Sequence, residues 1–168
     1  MTPAGSNGDA PLLVLGLGNI LLADDGVGVV MLERLRATVD DAGGAIDWLD
    51  GGTQGLALIP WSAGRVALLI LDAVALGAEP GTIHVLDDPM SLVASRGITA
   101  HESNAGSLIG ALELLGERPA RVMVVGIEPA EIETRIGLSK PVAASVPRAV
   151  LRAERIVAAM CEPACARG

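Results

Sequence analysis

Five apolar runs punctuate the chain, at Leu12–Leu17, Ile46–Leu49, Val66–Leu71, Thr82–Leu86 and Val122–Ile127. The first and third are continuous rather than alternating, which predicts strands buried on both faces, as in a parallel sheet. Between the runs the apolar period changes. Val27, Val30, Met31 and Leu35 predict a helix reaching about Asp41, with Asp24 or Asp25 placed to cap its start. Leu108, Ala111, Leu112 and Leu115 predict a helix over Ser103–Leu115. Apolar residues at 142, 146, 149, 150, 153, 156, 157 and 160 predict a long C-terminal helix. A short helix over Gln54–Ser62 and a helical turn over Met90–Arg96 complete the reading. Strands alternating with helices imply an α/β sandwich built on a mostly parallel sheet. Residues 1–11 read as a flexible leader, 12–160 as one domain and 161–168 as a flexible tail.

Composition narrows the function classes. Of 168 residues, 51% are hydrophobic, so the chain is expected to fold. The aromatics are two Trp, so the core is aliphatic and base-stacking platforms are missing. Trp48 and Trp61 read as core or rim. Twelve basic against twenty acidic residues give a net charge of -8, which disfavours nucleic-acid and membrane partners. No apolar run is long enough to cross a bilayer, and the N-terminus lacks the basic and apolar regions of a signal peptide; a cytoplasmic monomer is expected. Cys161 and Cys165 read as free thiols.

The chemistry is expected at the carboxyl ends of the strands, where open α/β sheets bind ligands. The first run leads through Gly18-Asn19 to Asp24-Asp25, the second ends at Asp50 before Gly51-Gly52-Thr53, and the third ends at Asp72. Each acid has an ordinary explanation, as a helix cap or a turn residue. Asp72 is the hardest to dismiss, because a carboxylate closing so apolar a stretch requires a partner. Gathered at one edge, these acids call for a cation, an arginine or raised pKa values. His101, in the loop before the helix of 103–115, would add an imidazole. Oxygen and imidazole donors together suit nickel, zinc or manganese. His84 reads as a strand residue, and Glu128, Glu131 and Glu133 as a solvated acidic face. Gly16-x-Gly18 is an incomplete dinucleotide fingerprint, and the phosphate-loop, nucleophile-elbow and zincin motifs do not occur.

The segment Gly16-Leu17-Gly18-Asn19-Ile20-Leu21-Leu22-Ala23-Asp24-Asp25-Gly26-Val27-Gly28 resembles the N-terminal signature of the nickel–iron hydrogenase maturation endopeptidases. Asp50-Gly51-Gly52-Thr53-x-Gly55, Leu71-Asp72-Ala73, His101 and Ile136-Gly137-Leu138-Ser139-x-Pro141 resemble further motifs of that family, in order. The resemblance implies a three-layer sandwich with a five-stranded sheet. It also implies removal of a C-terminal peptide from the hydrogenase large-subunit precursor after nickel insertion, next to a basic residue. Carried over by position, Asp25, Asp72 and His101 would contact the metal, Asp50 would join them as a catalytic residue, and Gly51, Gly52 and Thr53 would touch substrate. Asp25 stands where some members carry glutamate. Nickel is expected to arrive on the substrate, with other divalent ions able to take its place. A nickel-binding maturation or sensing module without peptidase activity is the alternative.

Overall fold

In a computed structural model describing residues 10–41, 43–89 and 104–162, β1 (Leu12–Leu17) is buried along its whole length. It lies between β2 (Ile46–Gly52) and β3 (Ala67–Ala73), parallel to both. Beyond β3 come β5 (Arg121–Ile127), also parallel, and β4 (Ile83–Asp87), antiparallel at the edge. Among the described residues the sheet therefore has five strands, in the order β2-β1-β3-β5-β4.

The continuous apolar runs are explained by helices on both faces. Helix α1 (Val27–Thr38) and the long α4 (Lys140–Cys161) cover one face. There Val27, Met31, Leu35, Val142, Val146 and Val157 pack on Leu12, Val14, Leu69, Leu71 and Val125. The one-turn α2 (Ile59–Ser62) and α3 (Asn104–Leu114) cover the other. There Leu58, Ala105, Leu108 and Leu112 meet Leu13, Leu15, Leu68, Ile70 and Val124. Each fully buried leucine or valine contributes about 1.5–3 kcal/mol to this three-layer arrangement. Pro147 sits inside α4 at an exposed position, as does Ala143, the residue one turn earlier whose carbonyl would otherwise receive its N–H.

Several expectations are corrected. Asp24 and Asp25 do not cap α1. They lie in a 3-10 turn, Ala23–Gly26, and Gly26 precedes the helix without a side-chain cap. The helix expected over 54–62 is a 3-10 turn, Gly55–Leu58, followed by α2. Asp50, Gly51 and Gly52 belong to β2 rather than to a turn, because a bulge in the β1–β2 pairing lets the strand run on. Ala10 belongs to the folded body, not to a leader: it is buried, and its carbonyl accepts a hydrogen bond from Arg65 Nη1 at 2.6 Å. Arg65 also forms a buried ion pair with Asp47 at the amino end of the sheet. The turn expected at 90–96 and His101 lie outside the described residues, as do residues 1–9 and 163–168.

Candidate functional site

The strand order creates a crevice. The connection leaving β1 turns toward β2, whereas the chain leaving β3 turns toward β4 and β5, so their carboxyl ends open onto a topological switch point. The first turn of α1 is drawn over this point because residue 28 is glycine. A Cβ there would lie 2.2 Å from the Leu17 carbonyl oxygen and 2.3 Å from that of Leu71. Gly18, at φ +117°, lets the Asp25 carbonyl approach to where its own Cβ would stand, 1.8 Å away. These close approaches bring the 23–26 turn down onto β1 and β3.

Asp25 comes from the 23–26 turn and Asp72 from the end of β3. Asp25 is half-buried, and its Oδ2 accepts the Asn19 N–H at 2.8 Å. Asp72 follows Leu68 and Ile70 in strand alternation and so faces the α3 layer. It is buried; Oδ1 accepts the N–H of Ala73 at 2.8 Å and Oδ2 that of Ala105, in the first turn of α3, at 3.3 Å. Burial pushes the Asp72 carboxyl up to about 7; two backbone hydrogen bonds oppose the rise, and the like charge of Asp25 adds to it.

Asp24 has the opposite role. It is fully buried, with Oδ1 accepting the Ser139 N–H (2.7 Å) and Oδ2 accepting the Ser139 hydroxyl (2.8 Å) and the N–H groups of Ala130 and Glu131 (2.9 Å each). Burial alone would raise its pKa, but the hydrogen bonds from Ser139, Glu131 and Ala130 hold it below the usual carboxylate range. Ser139 precedes α4, so this carboxylate also sits at the positive end of the longest helix.

Asp50 is exposed, and its Oδ1 accepts the Gly52 N–H at 3.0 Å. Its partner Gly16 separates it by register from Leu71, and alternation points Asp50 to the α1 face, opposite Asp72. Gly51 is glycine for packing, since a Cβ would press on Leu15, Leu17 and Leu58 at 2.8–2.9 Å. The Gly51 carbonyl accepts from Gln54, and that of Gly52 from Gly18. Thr53 is exposed. Among the described residues no three His, Cys, Asp or Glu side chains converge in a metal-binding group.

Glu128 is not part of a solvated face. It is buried and accepts the N–H groups of Leu76 (2.9 Å) and Gly77 (3.1 Å), with His84 Nε2 2.8 Å from Oε2. Burial would raise its pKa, yet these partners hold it low. Neither the Asp24 nor the Glu128 network was legible beforehand, although Ser139-x-Pro141 is the signal of a helix start.

Comparison with known proteins bears on what this crevice serves. The family model for hydrogenase maturation protease, HycI, matches residues 29–156. This chain belongs to that family. The protease is 36% identical over 147 residues to the hydrogenase expression/formation protein HupD of Rhodobacter capsulatus, covering 86% of this chain and 70% of that one. It is 36% identical over 155 residues to the hydrogenase 2 maturation protease of Escherichia coli K12, covering 90% and 91%. The hydrogenase maturating endopeptidase HybD from E. coli superposes with a TM-score of 0.72 at 35% identity, over 90% of this chain and 92% of that one. The protein is accordingly a hydrolase, a peptidase, and the five-stranded α/β fold is the one its relatives share. The expectation of an enzyme agrees with this family.

Proposed function

We propose that this protease removes the C-terminal extension of a nickel–iron hydrogenase large-subunit precursor in the cytoplasm, and that it recognises the precursor through nickel already inserted there. The observation that carries the reading is the buried carboxylate of Asp72 at the end of β3, on which the like charge of Asp25, in the turn after β1, acts. That donor set fits a divalent cation, which relieves the repulsion. His101 would supply the imidazole; it stands four residues before Ala105, whose N–H binds Asp72.

In this mechanism the nickel ion is part of the substrate, and it supplies a charge that polarises a carbonyl or lowers the pKa of a water. Asp25, whose Oδ2 is held by the Asn19 N–H, would offer its carboxylate to the ion. Asp72, pushed up to about 7 without metal, would be drawn back down by the ion, holding it through one oxygen and taking the proton of the attacking water through the other. Asp50 and Thr53 form an exposed outer rim that the substrate chain crosses. Ile20, Leu21, Ile132 and Ile136, all more than half exposed, lie on the two loops flanking Asp25; such a group of apolar side chains suits a protein client.

The test is incubation of purified precursor with the protease, with and without nickel in the precursor, read by mass spectrometry. Loss of the C-terminal peptide only from nickel-loaded precursor is expected. Equal trimming without nickel removes metal recognition from the reading. An unchanged precursor mass in both cases overturns it in favour of a binding or sensing module.

A further inference from the structure

We infer that Asp24 is a positioning residue for Asp25: by gripping the 130–139 loop it sets the direction in which its neighbour meets the substrate. The inference rests on the reading of Asp25 given above.

The geometry separates two adjacent, chemically identical residues. Asp24 turns inward and uses both oxygens on four donors from one distant loop. Asp25 turns outward to Asn19 and to the field of Asp72. The backbone is stitched along the same line. Ala23 N–H donates to the Arg135 carbonyl at 2.7 Å, Arg135 N–H to the Leu21 carbonyl at 3.0 Å, and Asp24 N–H to the Glu131 carbonyl at 3.1 Å. Leu22 and Arg135 form an isolated parallel bridge.

Between these attachments Ala23 holds φ +50°, the left-handed region that a side chain with a Cβ avoids. A strained residue of this kind persists only where its surroundings over-determine it. Seven hydrogen bonds from one loop do so here, three through the backbone and four through the Asp24 carboxylate. An apolar side chain at position 24 would fill the space without the cost of desolvating a charge, but it would give the loop no direction. A fully satisfied buried carboxylate does give one, because each acceptor site fixes the bearing of a donor. Asp25 begins one peptide later, so whatever turns Asp24 turns Asp25.

The test uses the full chain with Asp24→Asn, Ser139→Ala, Ser139→Thr, Asp25→Asn and the Asp24→Asn/Asp25→Asn pair. Asp24→Asn keeps the shape but sets an amide against donors; Ser139→Ala removes one hydrogen bond and stays informative if Asp24→Asn does not fold. The readouts are nickel affinity by calorimetry, kcat/KM for precursor cleavage, and thermal midpoint. Supporting groups of this kind carry about 10–100-fold in metal affinity or activity. Asp24→Asn and Ser139→Ala are expected to lower both quantities within that range, and Ser139→Thr to retain them. In the Asp25→Asn background, Asp24→Asn should lower the melting temperature as before yet add no further loss of affinity or cleavage. An additive loss in the pair, or wild-type affinity and cleavage in a folded Asp24→Asn, overturns the inference. If Asp25→Asn by itself changes neither affinity nor cleavage, the role of Asp25 falls, and that of Asp24 with it.

Discussion

Asp72 Oδ2 accepts the N–H of Ala105 at 3.3 Å, joining the end of β3 to the first turn of α3 across 33 residues of chain. The bond gives the buried carboxylate a fixed bearing, and it ties the site to the helix that directly follows the His101 segment. The same carboxylate therefore has a structural and a chemical use, and its substitutions separate the two.

Asp72→Asn preserves the shape of the side chain and one acceptor oxygen but removes the negative charge and the general base. Cleavage of nickel-loaded precursor should fall at least about 100-fold, the lower range for loss of a positioned proton-transfer group. Circular dichroism should remain that of the folded protein. Asp25→Asn and His101→Ala should lose processing similarly, because an amide or a methyl group binds a cation poorly. A folded variant that trims precursor at the wild-type rate would remove its residue from the mechanism.

The pH dependence of stability should carry two opposite signs. Asp72 is raised from 3.8 to about 7, so in the folded state it keeps a proton that the unfolded chain releases. Its contribution is complete below about pH 4 and is lost as pH rises through 7. In metal-free protein, Asp72→Asn should therefore melt increasingly above wild type between pH 5 and 8. Asp24 is lowered, so its contribution is present above 3.8 and is lost as pH falls through its folded value. Asp24→Asn should be less stable than wild type at neutral pH, with the difference narrowing in acid. Thermal melts across the pH range check both signs.

Gly28→Ala should be among the most damaging single-methyl changes, since the added carbon meets two backbone carbonyls that cannot rotate away. A loss of about 3 kcal/mol or more is expected. Urea unfolding measures it, and the surviving folded fraction should cleave poorly because the 23–26 turn has lifted off the strand ends.

At the other end of the sheet, Arg65→Met should lower unfolding free energy by about 3–5 kcal/mol, because it leaves the Asp47 carboxylate buried without its cation. The double variant Asp47→Leu/Arg65→Met should recover most of that loss. Cleavage by the folded fraction should be unchanged in both, since the pair lies at the amino edge of the strands and the crevice at the carboxyl edge.

What the sequence determined by itself was whatever depends on near neighbours. Leu12–Leu17 and Val66–Leu71 had to be strands covered on both sides, because so short and unbroken a run of apolar side chains finds no wet face. The rhythm from Val142 to Met160 had to be a helix, and Asp72 had to be exceptional, because it closes an apolar strand. Tertiary structure decided what depends on distant partners. Nothing local distinguishes Asp24 from Asp25; donors more than a hundred residues away draw one inward, and the other is left half-buried against the Asn19 N–H. Glu128 looks like a surface acid until the loop at 76–77 closes on it. Asp50 and Asp72 both end strands, yet alternation and register send them to opposite faces. A carboxylate is stable inside a protein only where hydrogen-bond donors reach it, and which donors reach it is settled by how the chain returns, not by the residues beside it.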